Sequence, residues 1–310
     1  MRAVRLAPPS VEVVDIDEPG GDGELIKVTA VSICASDLAY IRGGSREIAG
    51  HEIAGITEDG TAVAVEGMFG CGACAFCERG NYNLCSRGAV DVLGCTVPGG
   101  MAEYFRAPSR VLVPLPEGLA PEDACLVEPG SVAWHACVSG GVGPDARVAV
   151  VGGGAIGLLA VAAARRLGAP EVALEARYPH QRELGERFGA TEPTGLYDVV
   201  IETAGSESAF HRCMELIRPQ GTVSTIGVFE EGVSWPWMTA LVKEARTVTA
   251  IGYAGDAEGR EFEKVAAMLA EDPDLAASLI THRFGIEDAV EAFDVARERA
   301  AGTRRVVVHP

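Results

Sequence analysis

Four cysteines, Cys71, Cys74, Cys77 and Cys85, fall within 15 residues in the spacing Cys-x2-Cys-x2-Cys-x7-Cys, in a stretch rich in turn residues. Thiolates so placed can close tetrahedrally around one ion, the donor set of a structural zinc with no open coordination position. A second constellation is dispersed. Cys34 lies in Ser32-Ile33-Cys34-Ala35-Ser36-Asp37, His51 and Glu52 follow Gly50, and Glu128 sits in Leu126-Val127-Glu128-Pro129. One thiolate, one imidazole and one carboxylate make an open zinc site whose free position takes water or substrate. Singly, a His after Gly is an ordinary turn residue and a Glu before Pro an ordinary loop residue, so only the combination points to a metal. Cys95, Cys125, Cys137 and Cys213 are scattered and read as small apolar side chains.

A third motif, Gly152-Gly153-Gly154-Ala155-Ile156-Gly157, follows an apolar strand and opens a helix, the context a dinucleotide-binding glycine loop requires. Gly152 permits the tight turn, Gly154 lets backbone approach a pyrophosphate, and Gly157 lets the helix pack on the strand. The helix N-terminus, through Ala155 and Ile156, adds N–H donors and a positive dipole end.

These motifs sit on two kinds of scaffold. Up to about Ser139 the chain reads as short β-segments between Gly and Pro turns, for example Leu25 to Val31 and Val111 to Pro114. Near Gly140-Gly141-Val142-Gly143-Pro144 the pattern changes to strands alternating with helices, which predicts a doubly wound parallel sheet. The expected strands are Arg147–Val151, Glu171–Glu175, Asp198–Glu202 and Gly221–Val228, with helices at Ala155–Leu167, Pro179–Phe188 and Ser206–Ile217. A helix at Arg260–Glu271, an acidic helix at Ile286–Arg299 and a strand at Arg305–His309 complete the chain.

With 310 residues, two domains are expected. A net charge of −18, from 26 Lys and Arg against 44 Asp and Glu, repels phosphate backbones and anionic lipids, which argues against nucleic-acid and membrane partners. The N-terminus shows no apolar signal segment and no apolar stretch is long enough to span a bilayer, so a cytoplasmic protein is expected, where clustered cysteines favour metal over disulfides.

Together these segments resemble the zinc-containing medium-chain alcohol dehydrogenases, particularly the sorbitol and threonine dehydrogenase-like branch. The matching segments, in order, are Ile33 to Asp37, Gly50 to Gly55, the four-cysteine lobe, Gly99 to Tyr104, Leu126 to His135, Gly152 to Gly157, Lys243-Glu244 and Arg304 to Pro310. The resemblance implies an α/β chain: a GroES-like β-barrel catalytic domain, residues 1–139 and 282–310 with a zinc lobe near 71–85, and a Rossmann domain, residues 140–281, with the active site between them. It implies that Cys34, His51 and Glu128 bind the catalytic zinc and that Glu52 is an alternative ligand. Asp37 would orient His51, and the Ser36 hydroxyl would accept the alcohol proton. Ala35 and Ala39 depart from the family, the latter where some members carry a proton-relaying His. The stretches from Cys34 to His51 and from Gly189 to Asp198 are short, so a trimmed pocket rim and third strand are expected.

Aligned to the family, the position of the acid that holds the ribose of NAD falls on Ala176, followed by Arg177, which suits the 2′-phosphate of NADP. The register one residue earlier gives Glu175 the ribose and NAD the preference. Tyr178 is placed either to stack on adenine or to pack on the surface. The expected activity is hydride transfer between a nicotinamide cofactor and a small alcohol, polyol or its carbonyl, in a homodimer or homotetramer joined near Thr247 to Tyr253. The alternatives are an NAD-preferring sugar or amino-alcohol dehydrogenase and a non-catalytic dinucleotide-binding regulator, which would need none of Cys34, Ser36, His51 and Glu128.

Overall fold

The strands Arg147–Val151, Glu171–Glu175 and Arg305–His309 form over the residues expected from sequence, each with an apolar centre, Val148 to Val151, Val172 to Leu174 and Val306 to Val308. They belong to a computed structural model that describes residues 1–86, 91–229 and 232–310. The chain packs into two units, Met1–Glu128 with Ala254–Pro310, and Pro129–Tyr253.

In the first unit a seven-stranded sheet runs Ile280–Gly285, Arg305–His309, Glu24–Ser32, Glu52–Thr57, Ala62–Val65, Leu112–Pro114, with Tyr104–Ala107 also paired to Glu24–Ser32. The C-terminal strand is thus built into the sheet of the N-terminal segment, Val307 opposite Ser32 and Val308 opposite Val31. On the other side Ser32 faces Glu52. The apolar core beneath includes Leu6, Ile26, Val31, Ile53, Phe293 and Val308. This arrangement brings residues 32–37, 51–52 and 305 to one end of three neighbouring strands.

The second unit carries a five-stranded parallel sheet in the order Glu171–Glu175, Arg147–Val151, Tyr197–Glu202, Ile217–Thr225, Arg246–Thr249. Val148, Ala149 and Val150 are fully buried, as strands covered on both faces require. Helices Ala155–Arg166, Pro179–Arg187 and Glu207–Leu216 make the crossovers. Beyond Glu171–Glu175, where another strand could add, Thr191 alone bridges to Ala173, so the short Gly189 to Asp198 stretch leaves one bridge in place of a strand.

Several expectations are corrected. The units divide at Glu128/Pro129 and Tyr253/Ala254 rather than at 139/140 and 281/282, because the helix Val127–Gly140 packs with the parallel sheet while Glu261–Glu271 and Pro273–Leu279 pack with the first unit. The N-terminal part also contains the helix Ala35–Arg42. The strand expected at Gly221–Val228 spans Ile217–Thr225, passing through Gln220 at φ 60°. The acidic helix at Ile286–Arg299 is a short 3-10 turn followed by helix Ala289–Val295. Among the described residues no helix is long and apolar enough to cross a membrane.

Candidate metal and dinucleotide sites

Cys34 ends the run from strand Glu24–Ser32 and caps the helix Ala35–Arg42. Asp37, in the first turn, reaches back so that its Oδ2 accepts the Cys34 backbone N–H at 2.8 Å, satisfying a helix-end donor. The same fully buried carboxylate places Oδ1 3.5 Å from Nδ1 of His51. Neither of those two atoms has a hydrogen-bond partner among the described residues. On the other side of the ring Nε2 lies 3.2 Å from Ser36 Oγ. Burial pulls the His51 pKa down, but attraction from Asp37 first and from the nearby Cys34 outweighs it and holds it well above the usual imidazole range.

Ligand atoms of Cys34, His51 and Glu52 come within 4.8 Å of one another. One soft thiolate, one imidazole and one carboxylate suit zinc, whose bonds are ~2.0–2.3 Å long. Glu128, in the first turn of Val127–Gly140, stands outside that group but is buried close by. Burial pushes its carboxyl up to about 8, with the charge of His51 acting against that and the charge of Glu52 adding to it.

Glu52 has strong partners of its own. Arg305 Nη1 lies 2.7 and 2.9 Å from its two oxygens and 3.3 Å from the Ile33 carbonyl, and Ser32 Oγ donates to Oε2. Arg305 and Ser32 escaped the sequence reading; the available signal was an arginine heading the apolar run Val306-Val307-Val308. Tyr40 stands edge-on to His51, ring centroids 6.3 Å apart, and its hydroxyl meets the side chains of Ser36 and Cys95.

In the four-cysteine lobe, Cys71 and Cys77 sulfurs lie 4.0 Å apart, Cys74 and Cys77 3.6 Å, and Cys74 and Cys85 3.9 Å. Around a tetrahedral zinc with bonds of ~2.3 Å the sulfurs stand ~3.8 Å apart, so the lobe fits that ion with all positions filled. Short 3-10 turns, Cys77–Arg79 and Tyr82–Leu84, fold the chain between the ligands.

The glycine loop has the shape its sequence implies. Gly152 takes φ 120°, and a Cβ on Gly157 would fall 1.7 Å from the Gly152 carbonyl oxygen, so a side chain is excluded at both. A Cβ on Gly154 would meet nothing within 4 Å, leaving open space in front of the helix N-terminus formed by Ala155 and Ile156. That opening, in front of the backbone N–H groups of a helix N-terminus, fits a pyrophosphate.

At the end of the next strand, Ala176 is buried and its Cβ lies 2.5 Å from where a Gly153 Cβ would stand. Glu175 is turned to Arg212, whose Nε lies 3.0 and 2.8 Å from its two oxygens. Arg177 is exposed, its guanidinium 5.7 Å from the Tyr178 ring, and Tyr178 stacks on His180 at 5.5 Å. Arg212 also went unnoticed in the sequence, since nothing local links it to a residue 37 positions away.

A metal-ligand set on a GroES-like unit, joined to a doubly wound sheet with a phosphate-type glycine loop, defines a zinc-type nicotinamide dehydrogenase. Family models agree: "Alcohol dehydrogenase GroES-like domain" matches residues 20–117, "Zinc-binding dehydrogenase" 192–271 and "Alanine dehydrogenase/PNT, C-terminal domain" 129–218. The chain is 31% identical to sorbitol dehydrogenase of Bacillus subtilis over 70% of its length and 71% of the relative's. It is 29% identical to L-threonine 3-dehydrogenase of Pyrococcus abyssi over 93% and 92%. A structure from Sinorhizobium meliloti, described as a zinc-binding dehydrogenase bound to NADP, superposes with a TM-score of 0.85 at 29% identity, covering 100% and 99% of the two chains. The chain belongs to the zinc-containing medium-chain alcohol dehydrogenase family. It is therefore an enzyme, an oxidoreductase with a zinc and a nicotinamide cofactor.

Proposed function

We propose that this enzyme is a zinc-dependent, NADP-preferring dehydrogenase or reductase of a small secondary alcohol, polyol or the corresponding carbonyl. The observation that carries the reading is the convergence of Cys34, His51 and Glu52 with Asp37 behind the imidazole and Ser36 in front of it. Cys34 and His51 are the fixed ligands of the catalytic zinc and Glu128 completes the set. Glu52, drawn back by Arg305 and Ser32, is the alternative ligand. The four-cysteine lobe holds a second, structural zinc.

When bound, the zinc would polarise the substrate oxygen and the nicotinamide would supply or take the hydride. The chain's own part is placement and proton handling. Asp37 fixes the His51 ring by facing Nδ1, which leaves Nε2 for the metal. Ser36 Oγ is the group that takes the proton of the alcohol oxygen. Tyr40, whose hydroxyl meets Ser36, continues that path where Ala39 has no polar side chain.

The preference for NADP rests on Ala176 and Arg177, and on Glu175 being occupied by Arg212. The Sinorhizobium meliloti relative's bound NADP supports the same reading. Self-association through the second unit is part of the proposal. Arg246–Thr249 is an edge strand, and Trp237, Met238, Leu241 and Val242 beside it in sequence are 68–74% exposed, more apolar surface than a solitary chain tolerates well.

The test is metal analysis together with a screen of secondary alcohols, polyols and their carbonyls against NADP and NAD, read at the reduced-nicotinamide absorbance band. Two zincs per chain and turnover with a member of these classes are expected. A chain with no metal at Cys34 and His51 and no hydride transfer would overturn the reading.

A further inference from the structure

Three loops leave neighbouring strands of the parallel sheet side by side: the glycine loop after Arg147–Val151, residues 203–206 after Tyr197–Glu202, and residues 226–228 after Ile217–Thr225. They are packed so closely that three of their glycines have no room for a side chain. A Cβ on Gly152 would lie 2.5 Å from Thr203 Oγ1, one on Gly205 would lie 2.4 Å from the Val228 carbonyl oxygen, and one on Gly227 would lie 2.4 Å from Glu202 Oε2.

Two side chains fasten them. Thr203 Oγ1 stands 3.2 Å from the Val151 carbonyl and 3.1 Å from the Gly152 carbonyl. Glu202, fully buried, accepts the N–H groups of Ala204 at 2.9 Å and Gly205 at 2.8 Å through Oε1. Its backbone carbonyl accepts the N–H of Ile226 at 3.0 Å. Glu202 thereby folds the segment that presents Thr203 to the glycine loop.

We propose that Thr203, held by the turn that Glu202 caps, is a positioning residue for the dinucleotide, acting through Gly152. A trans peptide opposes its C=O and its N–H. Holding the Gly152 carbonyl on the Thr203 hydroxyl therefore turns the Gly153 N–H away from this strap. It also fixes the approach of the loop to the helix N-terminus at Ala155. Without the hydroxyl, the Gly152–Gly153 peptide loses the side-chain hydrogen bond on its carbonyl and, lying between two glycines, rotates more readily. The cost then falls on the bound state, because the loop must be ordered when the dinucleotide arrives.

The proposal rests on the reading that Gly152 to Gly157 hold the dinucleotide, and the variants separate the two. The probe is NADPH, with NADH in parallel, titrated by nicotinamide fluorescence; melting temperature is measured on the same samples. Gly154→Asp places a carboxylate in the open space before the helix, where Asp is a good N-cap residue, so the fold should stand while NADPH binding is lost. If G154D binds NADPH as wild type does, the site reading fails. Thr203→Val should raise the Kd about tenfold, and Thr203→Ser, which keeps the hydroxyl, should restore it to within about twofold. Should T203V be unstable, Thr203→Ala, which only removes atoms, gives the same comparison. A G154D variant without NADPH binding beside a T203V or T203A variant with wild-type Kd would overturn the role of Thr203 alone.

Discussion

Arg305 and Glu52 form a buried ion pair across two strands of one sheet, with Arg305 Nη1 2.7 and 2.9 Å from the two carboxylate oxygens and the strand of Ser32 between them. Both side chains are at most 5% exposed. Removing one partner leaves the other charge without compensation in a low-dielectric interior. Arg305→Met should therefore lower unfolding free energy by about 3–5 kcal/mol, and Glu52→Met combined with Arg305→Met should recover most of it. Urea denaturation of the single and double variants checks this; equal stability of R305M and wild type would refute it.

That pair also marks the limit of what the sequence discloses. Local pattern was enough for Arg147–Val151 and Glu171–Glu175, because a run of β-branched and apolar residues between turn signals has one good solution. It was not enough for Ala35–Arg42, which opens on a cysteine and has little amphipathic contrast, so its start is fixed by Asp37 reaching back to Cys34 rather than by a usual N-cap residue. Val127–Gly140 was hidden by Pro129 and Gly130, which a helix tolerates in its first turn. Cys34, His51 and Glu52 could be named as candidates only from their combination and from the family resemblance. Arg305 was not, since it meets Glu52 across 253 positions and only tertiary pairing joins them.

The four-cysteine lobe should act on stability rather than chemistry, because four sulfurs leave no position for substrate. Cys77→Ser is expected to lose one zinc per chain and to melt at least ~5 °C lower, while dinucleotide binding by the folded fraction persists. Zinc content, melting temperature and NADPH titration decide it. A variant that keeps both zincs and its melting temperature yet loses hydride transfer would make the lobe catalytic.

Glu66, beside this lobe, gives a pH signature. Burial pushes its carboxyl from 4.5 up to about 7, with the hydrogen bond from Tyr82 (2.6 Å) and the charge of Arg260 pulling the other way. A raised carboxyl means that the folded state binds the proton more tightly than the unfolded one. Its stabilising effect is full below about pH 4.5 and is lost as pH rises through about 7. Relative to Glu66→Gln, which cannot ionise, wild type should lose ~3 kcal/mol of stability between pH 4.5 and pH 8. Denaturation of both proteins at the two pH values, compared as a difference of differences, is the measurement. A difference that does not change with pH would show that Glu66 is ionised throughout.

The cofactor prediction depends on which side chain stands where an adenosine 2′-phosphate would lie. A carboxylate there repels the phosphate in a partly desolvated pocket and favours the hydroxyls of NAD. At Ala176 that repulsion is absent, and Glu175, the acid one position earlier, already has both oxygens on Arg212. Arg177 is exposed and lies over the Tyr178 ring, a contact it can leave to meet a phosphate. A charge-assisted bond of that kind contributes roughly 1.5–3 kcal/mol, or about a ten- to hundredfold preference in kcat/KM for NADP over NAD. Ala176→Asp with Arg177→Ala should reverse the order by supplying the repulsion and removing the attraction together. Arg212→Gln alone leaves Ala176 and Arg177 in place and should keep NADP ahead. Measuring kcat/KM for both cofactors in all three proteins separates the registers: a wild type that prefers NAD tenfold would mean that Glu175 leaves Arg212 to hold the ribose.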